Sequence, residues 1–274
     1  MRGYRPQQAN RLAQERKQQS SHSLITGQTW GHVERLLRED LSPEQICGWL
    51  KKKGLQSVSS EWIYQYILID KKAGGDLHRH LRCQKKRKKR YGSPDRRGQL
   101  KNRVSIDDRP AIVDERKRIG DWEMDLIIGR IGGAVLMTAG ERKTRFTVIV
   151  LSPDKTAELV RQAILEGLTP LAAQVETLTY DNGKEFAQHE MISEALNASS
   201  YFAHPYHSWE RGLNENTNGL IRQYAPKGSS FDDMTHADVQ KIMDKLNDRP
   251  RKCLDFNTPN QVLFGIEPPI ALAS

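Results

Sequence analysis

The 274-residue sequence contains no apolar run approaching the ~20 residues that a membrane span needs. Its first residues, MRGYRPQQANRLAQERKQ, are polar and charged where a secretory signal would be apolar. The expectation is a protein neither secreted nor embedded in a membrane. Cysteine is scarce: Cys47, Cys83 and Cys253 are too few and too scattered for a disulfide framework or a four-cysteine zinc site. That usage fits a reducing cytoplasm. His78 and His80 lie close to Cys83, but no second half of a ligand set accompanies them, and they read as solvated loop residues.

What is present is polar and, in one half, strongly basic. Hydrophobic residues make up 37% and charged residues 28% of the chain, with a mean hydropathy of −0.70. The length suffices for one large domain or two smaller ones with a real core. Residues 1–110 carry 25 Lys and Arg against 11 Asp and Glu, whereas 111–274 carry 18 against 23. A basic front half joined to an acidic back half points to a polyanion-binding module tethered to something that needs carboxylates.

Residues 1–28 have no hydrophobic period and read as a flexible polar arm. Residues 29–78 read as a small helical unit. Val33, Leu36 and Leu37 fall on one helix face. Ser42-Pro43-Glu44-Gln45 is a strong helix start, with Ser42 as cap, Pro43 at the first helical position and Gln45 completing a capping box. Ile46, Trp49 and Leu50 then form a buried face, and Gly54 ends the helix. Ser59-Ser60-Glu61 opens a third helix carrying Trp62, Ile63, Tyr66 and Ile67. Three short helices fit a helix-turn-helix-like module. Pattern alone fits a plain helical bundle with a solvated face better, and the surrounding positive charge shifts the reading towards DNA without deciding it.

Residues 79–112 read as a basic linker. Its densest stretch is Lys85, Lys86, Arg87, Lys88, Lys89 and Arg90, a block that repels itself until it meets phosphate. From 113 to 265 the pattern turns to strands and helices, with 266–274 as a tail. Strands are expected at 122–129, 134–137, 147–151, 175–180 and 200–203, and helices at 155–168, 184–196, 209–223 and 236–246. This is the order of an α/β, ribonuclease-H-like core, a mixed five-stranded sheet flanked by helices. Other α/β sheets share the coarse order.

Three acids stand out by position. Asp125 sits within the otherwise apolar strand WEMDLIIG, where an unpaired carboxylate costs several kcal/mol unless a cation accompanies it. Asp121 and Glu123 alternate in phase with it, on the same side of the strand. Asp181 ends another strand before Asn182-Gly183, and ligand sites of parallel sheets gather at such ends. Glu215 falls in the helix after Pro205. Two aspartates on neighbouring strands and one glutamate from a packed helix can hold two divalent cations about 3.5–4 Å apart. All-oxygen donors favour Mg²⁺ or Mn²⁺ over zinc. Taken singly, each acid has a plainer reading: Asp181 supports a turn, and Glu215 sits on a helix surface.

GDWEMDLIIG (120–129), TYDNGKEF (179–186) and SWERGLNENTNGLIRQYAPKG (208–228) resemble the three catalytic blocks of DDE transposases of the IS-thirty family. NDRPRKCLDFNTPNQVLFG (247–265) resembles that family's C-terminal signature, and the resemblance runs from about residue 29 to 265. It implies the integrase-like catalytic core and movement of an insertion sequence by cutting and joining DNA at its ends. The family's catalytic and metal-binding triad falls on Asp125, Asp181 and Glu215, with 33 residues between the last two. Asp121 is the runner-up for the first place and Glu210 for the third. Trp122 three residues before Asp125, and Gly212 three before Glu215, favour the assigned pair as in integrases.

Arg211, Arg222 and Lys184 are candidate DNA contacts, as are Asn214 and Asn218, although each also reads as an ordinary surface residue. Met124 stands where the family pattern leads one to expect a small residue. The resemblance further implies DNA partners (terminal inverted repeats and target DNA), a homo-oligomer, and work on the nucleoid in the bacterial cytoplasm. Members typically begin with an additional helix-turn-helix, whereas this sequence begins near the linker that follows it. That departure leaves two competing readings beside an active transposase: a shortened, DNA-binding or hetero-oligomerising inhibitor of the longer enzyme, and a non-mobile nuclease of the same fold.

Overall fold

The computed structural model describes residues 6–20, 25–82, 100–205 and 207–266, arranged as two compact units, 1–81 and 82–274. No helix among the described residues is long and apolar enough to cross a membrane.

The first unit is helical throughout. Residues expected to form a flexible arm contain α1 (Pro6–Ser20). Its Gln, Ala, Arg, Leu and Glu residues are good helix formers without any apolar stripe, so hydrophobic period gave no sign of it. There follow α2 (Gly27–Arg38), α3 (Pro43–Lys52) and α4 (Ser60–Lys72). Thr26, Ser42 and Ser59 cap the three N-termini, and Ser42 and Gln45 close the expected capping box. Val33, Leu36, Leu37, Ile46, Leu50 and Ile63 are fully buried between them. The expectation of solvated histidines at 78 and 80 does not hold. A short 3₁₀ turn over Leu77–His80 buries Leu77, and His80 Nδ1 sits 3.1 Å from Asp40 Oδ1. Cys83 lies outside the described residues.

The second unit opens with α5 (Ile112–Glu115) and is built on five strands: β1 (Asp121–Ile128), β2 (Val135–Glu141), β3 (Thr147–Ser152), β4 (Thr177–Tyr180) and β5 (Ser199–Phe202). Their order is β3-β2-β1-β4-β5; β1 to β3 form an antiparallel meander, and β4 and β5 run parallel to β1. Helices α6 (Ala157–Leu168) and α7 (His189–Leu196) precede β4 and follow it. The chain continues through α8 (Gly212–Ile221), α9 (His236–Asn247) and α10 (Pro259–Phe264). This mixed α/β arrangement is the ribonuclease-H-like topology.

Strand alternation divides β1 between two cores. Trp122 and Met124 join the core that contains Val160, Ile164 and Leu168 of α6 and Ile192 of α7. Ile127 joins the opposite core, with Leu220, Ile221, Phe231, Val239 and Leu246. Asp121, Glu123 and Asp125 share the side of Ile127, on which α8 packs. Met124 is fully buried on the other side, so its bulk fills core and does not crowd the carboxylates.

Three boundaries differ from expectation. β2 runs on through Thr138-Ala139-Gly140-Glu141, because strands on both sides supply a ladder that its weak intrinsic preference does not. The single helices expected at 184–196 and 209–223 each split, into a 3₁₀ turn (Lys184–Phe186 and Ser208–Arg211) followed by α7 and α8. Residues 100–112, expected within the linker, pack on the second unit: Ser105 bridges to Phe202, and Arg109 donates to the Thr179 hydroxyl at 3.0 Å. The Lys/Arg block at 85–90 lies outside the described residues.

Candidate active site

Each carboxylate along the inner side of β1 faces its own guanidinium. Asp121 is fully buried, ion-paired with Arg118 at 2.8 Å and hydrogen-bonded by the Thr177 hydroxyl. Glu123 is also buried; Arg142 donates to it at 2.9 Å and the Asn214 backbone N–H at 3.2 Å. Burial nevertheless pushes the Glu123 pKa up, against the pull of Arg142. Asp125, the last in the row, reaches the surface with 21% of its side chain exposed. The Leu126 N–H donates to its Oδ1 at 3.0 Å and the Asn218 amide to its Oδ2 at 2.6 Å.

The parallel pairing of β1 and β4 puts Asp181 beside this end of the row. Asp181 Oδ1 accepts from the Gly183 N–H at 2.8 Å, so a turn fixes the carboxylate as well as ending the strand. Arg211 joins the two aspartates: its Nη1 lies 3.7 Å from Asp125 and its Nη2 3.5 Å from Asp181. Burial raises the Asp125 pKa; Arg211 opposes that rise, and the negative charge of Asp181 adds to it.

Helix α8 is docked by hydrogen bonds to the β1 backbone. Arg211 and Asn214 both donate to the Met124 carbonyl at 3.1 Å. Glu215 lies in the first turn of α8, three residues before Asn218 and so on the face that turns towards Asp125. Glu215 is exposed. The structure thus gathers Asp125 and Asp181 around Arg211 and sets Glu215 on the helix that follows it.

The runner-up acids are engaged elsewhere. Asp121 belongs to its buried pair with Arg118. Glu210 accepts from the His204 backbone N–H at 2.8 Å and sits 2.9 Å from His204 Nδ1. His204 Nε2 reaches Asp107 at 2.9 Å, so this imidazole is held between two carboxylates, and chiefly the hydrogen bond to Glu210 raises its pKa. The donor atoms of His204, His207 and Glu210 lie within 4.8 Å of one another. The cluster ties down the loop that delivers Arg211. The three residues stand three apart in sequence, a spacing that was the available signal for them; only the contact of His204 with Asp107, 97 residues away, has no local sign.

Of the candidate DNA contacts, Lys184 is exposed just past Asp181. Arg222 is a brace, donating to the carbonyls of Ile128 at 2.7 Å, Ala225 at 3.3 Å and Pro226 at 3.4 Å. Arg118 and Arg142 were also missed. The one cue to Arg118 was its place three residues before Asp121; Arg142 is identified only by the register of β2 on β1.

Paired aspartates stand at neighbouring strands of a ribonuclease-H-like sheet, with a glutamate-bearing helix beside them, an arrangement of the kind polynucleotidyl transferases use. No family model matches the chain. It is 44% identical over 260 residues to the transposase for insertion sequence element IS4351 of Bacteroides fragilis, covering 94% of this chain and 80% of that protein. It is 35% identical over 237 residues to transposase InsI for insertion sequence element IS30A of Escherichia coli strain K12, covering 81% of this chain and 61% of that one. A solved chain of a simian T-cell lymphotropic virus intasome is 16% identical, covers 57% of this chain and 59% of its own, and has a TM-score of 0.45. The chain belongs to the IS-thirty family of insertion-sequence transposases and is a DDE polynucleotidyl transferase.

Proposed function

We propose that Asp125, Asp181 and Glu215 are the catalytic, metal-holding acids with which this transposase cuts phosphodiesters at insertion-sequence ends and joins the released 3′-hydroxyl to target DNA. The observation that carries this reading is the sharing of one guanidinium by Asp125 and Asp181 at the open end of an otherwise buried carboxylate row. Carboxylate and amide oxygens suit hard cations such as Mg²⁺ or Mn²⁺. When bound, two such ions would activate the attacking oxygen and stabilise the leaving one.

The chain's own groups position the acids. Asn218 and the Leu126 N–H fix Asp125, the Gly183 N–H fixes Asp181, and Arg211 holds the two together. In cleavage, water forms a bond to phosphorus and the 3′-oxygen departs with a proton. In joining, the 3′-hydroxyl attacks a target phosphate, loses its proton and expels the target's own 3′-oxygen. The Lys/Arg block at 85–90 and Lys184 are proposed to meet DNA phosphate, which makes binding steeply salt-dependent. Paired element ends require more than one active site, so a homo-oligomer on DNA is part of the proposal.

The test uses labelled, pre-nicked ends of the element, incubated with the full chain and Mg²⁺ or Mn²⁺. Joined product is expected from the unaltered protein and none from Asp125→Asn, Asp181→Asn or Glu215→Gln at unchanged DNA affinity. Joining that survives Glu215→Gln would remove Glu215 from the site. Hydrolysis of uncut DNA with no joined product from the pre-nicked ends would favour a non-mobile nuclease.

A further inference from the structure

On the flank of α8 turned away from the aspartates, a cleft of about 330 Å³ is lined by Arg116, Arg145, Arg251, Asn216, Thr217 and Cys253. At about 100° per residue, positions 212, 213, 216 and 217 of α8 centre half a turn from the line of Glu215 and Asn218. Among the described residues, none that lines it is a carboxylate. Arg82 adds a fourth guanidinium at the rim, donating to the Asn216 side chain at 3.5 Å.

These arginines are held there at a cost. Arg251 is only 9% exposed; it donates to the Leu246 carbonyl, while its Nε and that of Arg145 are buried without a hydrogen-bond partner. Burial, together with the charges of Arg249, Arg82 and Arg145, brings the Arg251 pKa down to about 9. Arg116 and Arg145 both take left-handed backbone conformations, with φ of 54° and 63°. Such conformations are uncommon outside glycine and concentrate at functional sites. Clustered guanidiniums with unused donors repel one another until an anion enters, and their planar forks match the oxygens of a phosphate.

We propose that this cleft binds a backbone phosphate of the DNA strand a few nucleotides from the one at the aspartates. The proposal rests on the transposase reading above and adds a second DNA anchor to it. The two sites flank one helix, whose diameter with side chains is about 10–12 Å. That span matches about three nucleotide steps at about 3.4 Å each. Glu215 and Asn216, adjacent in sequence, would then register the same strand on both flanks.

Cys253 reports on occupancy. The full chain is alkylated with N-ethylmaleimide and the rate at each cysteine is read by peptide mass spectrometry, with Cys47 of the helical unit as internal control. The protein is tested alone, with inorganic phosphate, and with a duplex carrying the element end. At ten times the dissociation constant, the duplex is expected to slow Cys253 modification about tenfold and leave Cys47 unchanged. Arg116→Gln, at an exposed position, and Arg145→Gln are each expected to abolish that protection. Each should also lower the slope of log affinity against log salt by about one.

Retained DNA binding with unprotected Cys253 overturns the cleft assignment and leaves the functional reading standing. Protection by inorganic phosphate but not by duplex marks a free-anion site and overturns the DNA assignment. Absence of any DNA binding at low salt overturns the functional reading, and the anchor falls with it.

Discussion

The Arg211 guanidinium stands 3.7 Å from the carboxylate of Asp125 and, through its other amino group, 3.5 Å from that of Asp181. A single positive charge therefore faces two negative ones, and a divalent cation placed between the aspartates would balance them fully. Arg211 and metal compete for the same oxygens, which leads to a measurable sign. Arg211→Ala is expected to destabilise the metal-free protein by about 1–3 kcal/mol, the usual cost of leaving a partly buried charged group without its partner. Mg²⁺ should then raise the melting temperature more in the variant than in the unaltered protein. Equal Mg²⁺ increments in the two would show that the arginine does not occupy the metal's place.

Asp125 carries a second linkage, to pH. Burial raises its pKa in the folded, metal-free protein above the ordinary carboxylate value. The folded state therefore holds a proton that the unfolded chain has released, and stability falls as pH rises from the ordinary carboxylate pKa through the raised one. Asp125→Asn removes this penalty. The variant should be more stable than the unaltered protein at pH 7 without metal, show a flatter pH profile, and join no DNA. Thermal unfolding between pH 4 and about 8, with and without Mg²⁺, reads the effect. A variant less stable at pH 7 would mean that Asp125 serves the fold more than the chemistry.

Glu123 and Arg142 form the most enclosed ion pair of the row, with side chains 1% and 4% exposed. Removing one partner strands the other in the core. Arg142→Met or Glu123→Gln alone is expected to cost about 3–5 kcal/mol in urea unfolding. The double variant should cost clearly less than the two singles together, with a coupling of at least about 1 kcal/mol. Additive losses would show that each residue is held by its other contacts, Asp114 for Arg142 and the Asn214 N–H for Glu123.

The sheet, its flanking helices and the helical region ahead of them were legible because they rest on local signals. Examples are the Ser42 capping box, the alternation along WEMDLIIG and the β-branched runs. Asp125 and Asp181 stood out in the sequence for a related reason: a charge inside an apolar strand, or at a parallel strand's end, breaks the local pattern. What could not be read depends on register and on distant partners. Arg142 meets Glu123 only because β2 pairs with β1 as it does, and His204 meets Asp107 across 97 residues. Arg211 and Arg222 looked alike in sequence, two arginines on one helix. In space one joins the aspartates while the other braces the carbonyls at the end of β1.

His204 offers the clearest test of whether the loop ahead of α8 governs the site. The hydrogen bond to Glu210 chiefly, with Asp107 on the other nitrogen, raises its pKa above the ordinary histidine value. The folded state thus binds the proton more tightly than the unfolded chain. The stabilisation is complete below the ordinary histidine pKa and is lost as pH rises through the raised value. His204→Gln should erase that part of the stability profile, and with it the share of the carboxylate-region stability that His204 supplies by holding the Glu210 and Asp107 pKa values down. Glu210 immediately precedes Arg211, so slackening this loop should also loosen the grip on Asp125 and Asp181. Strand transfer by His204→Gln is expected to fall most in the pH range where the unaltered protein keeps its proton, and to converge with it at higher pH. A constant ratio of rates across that range would confine His204 to a structural part.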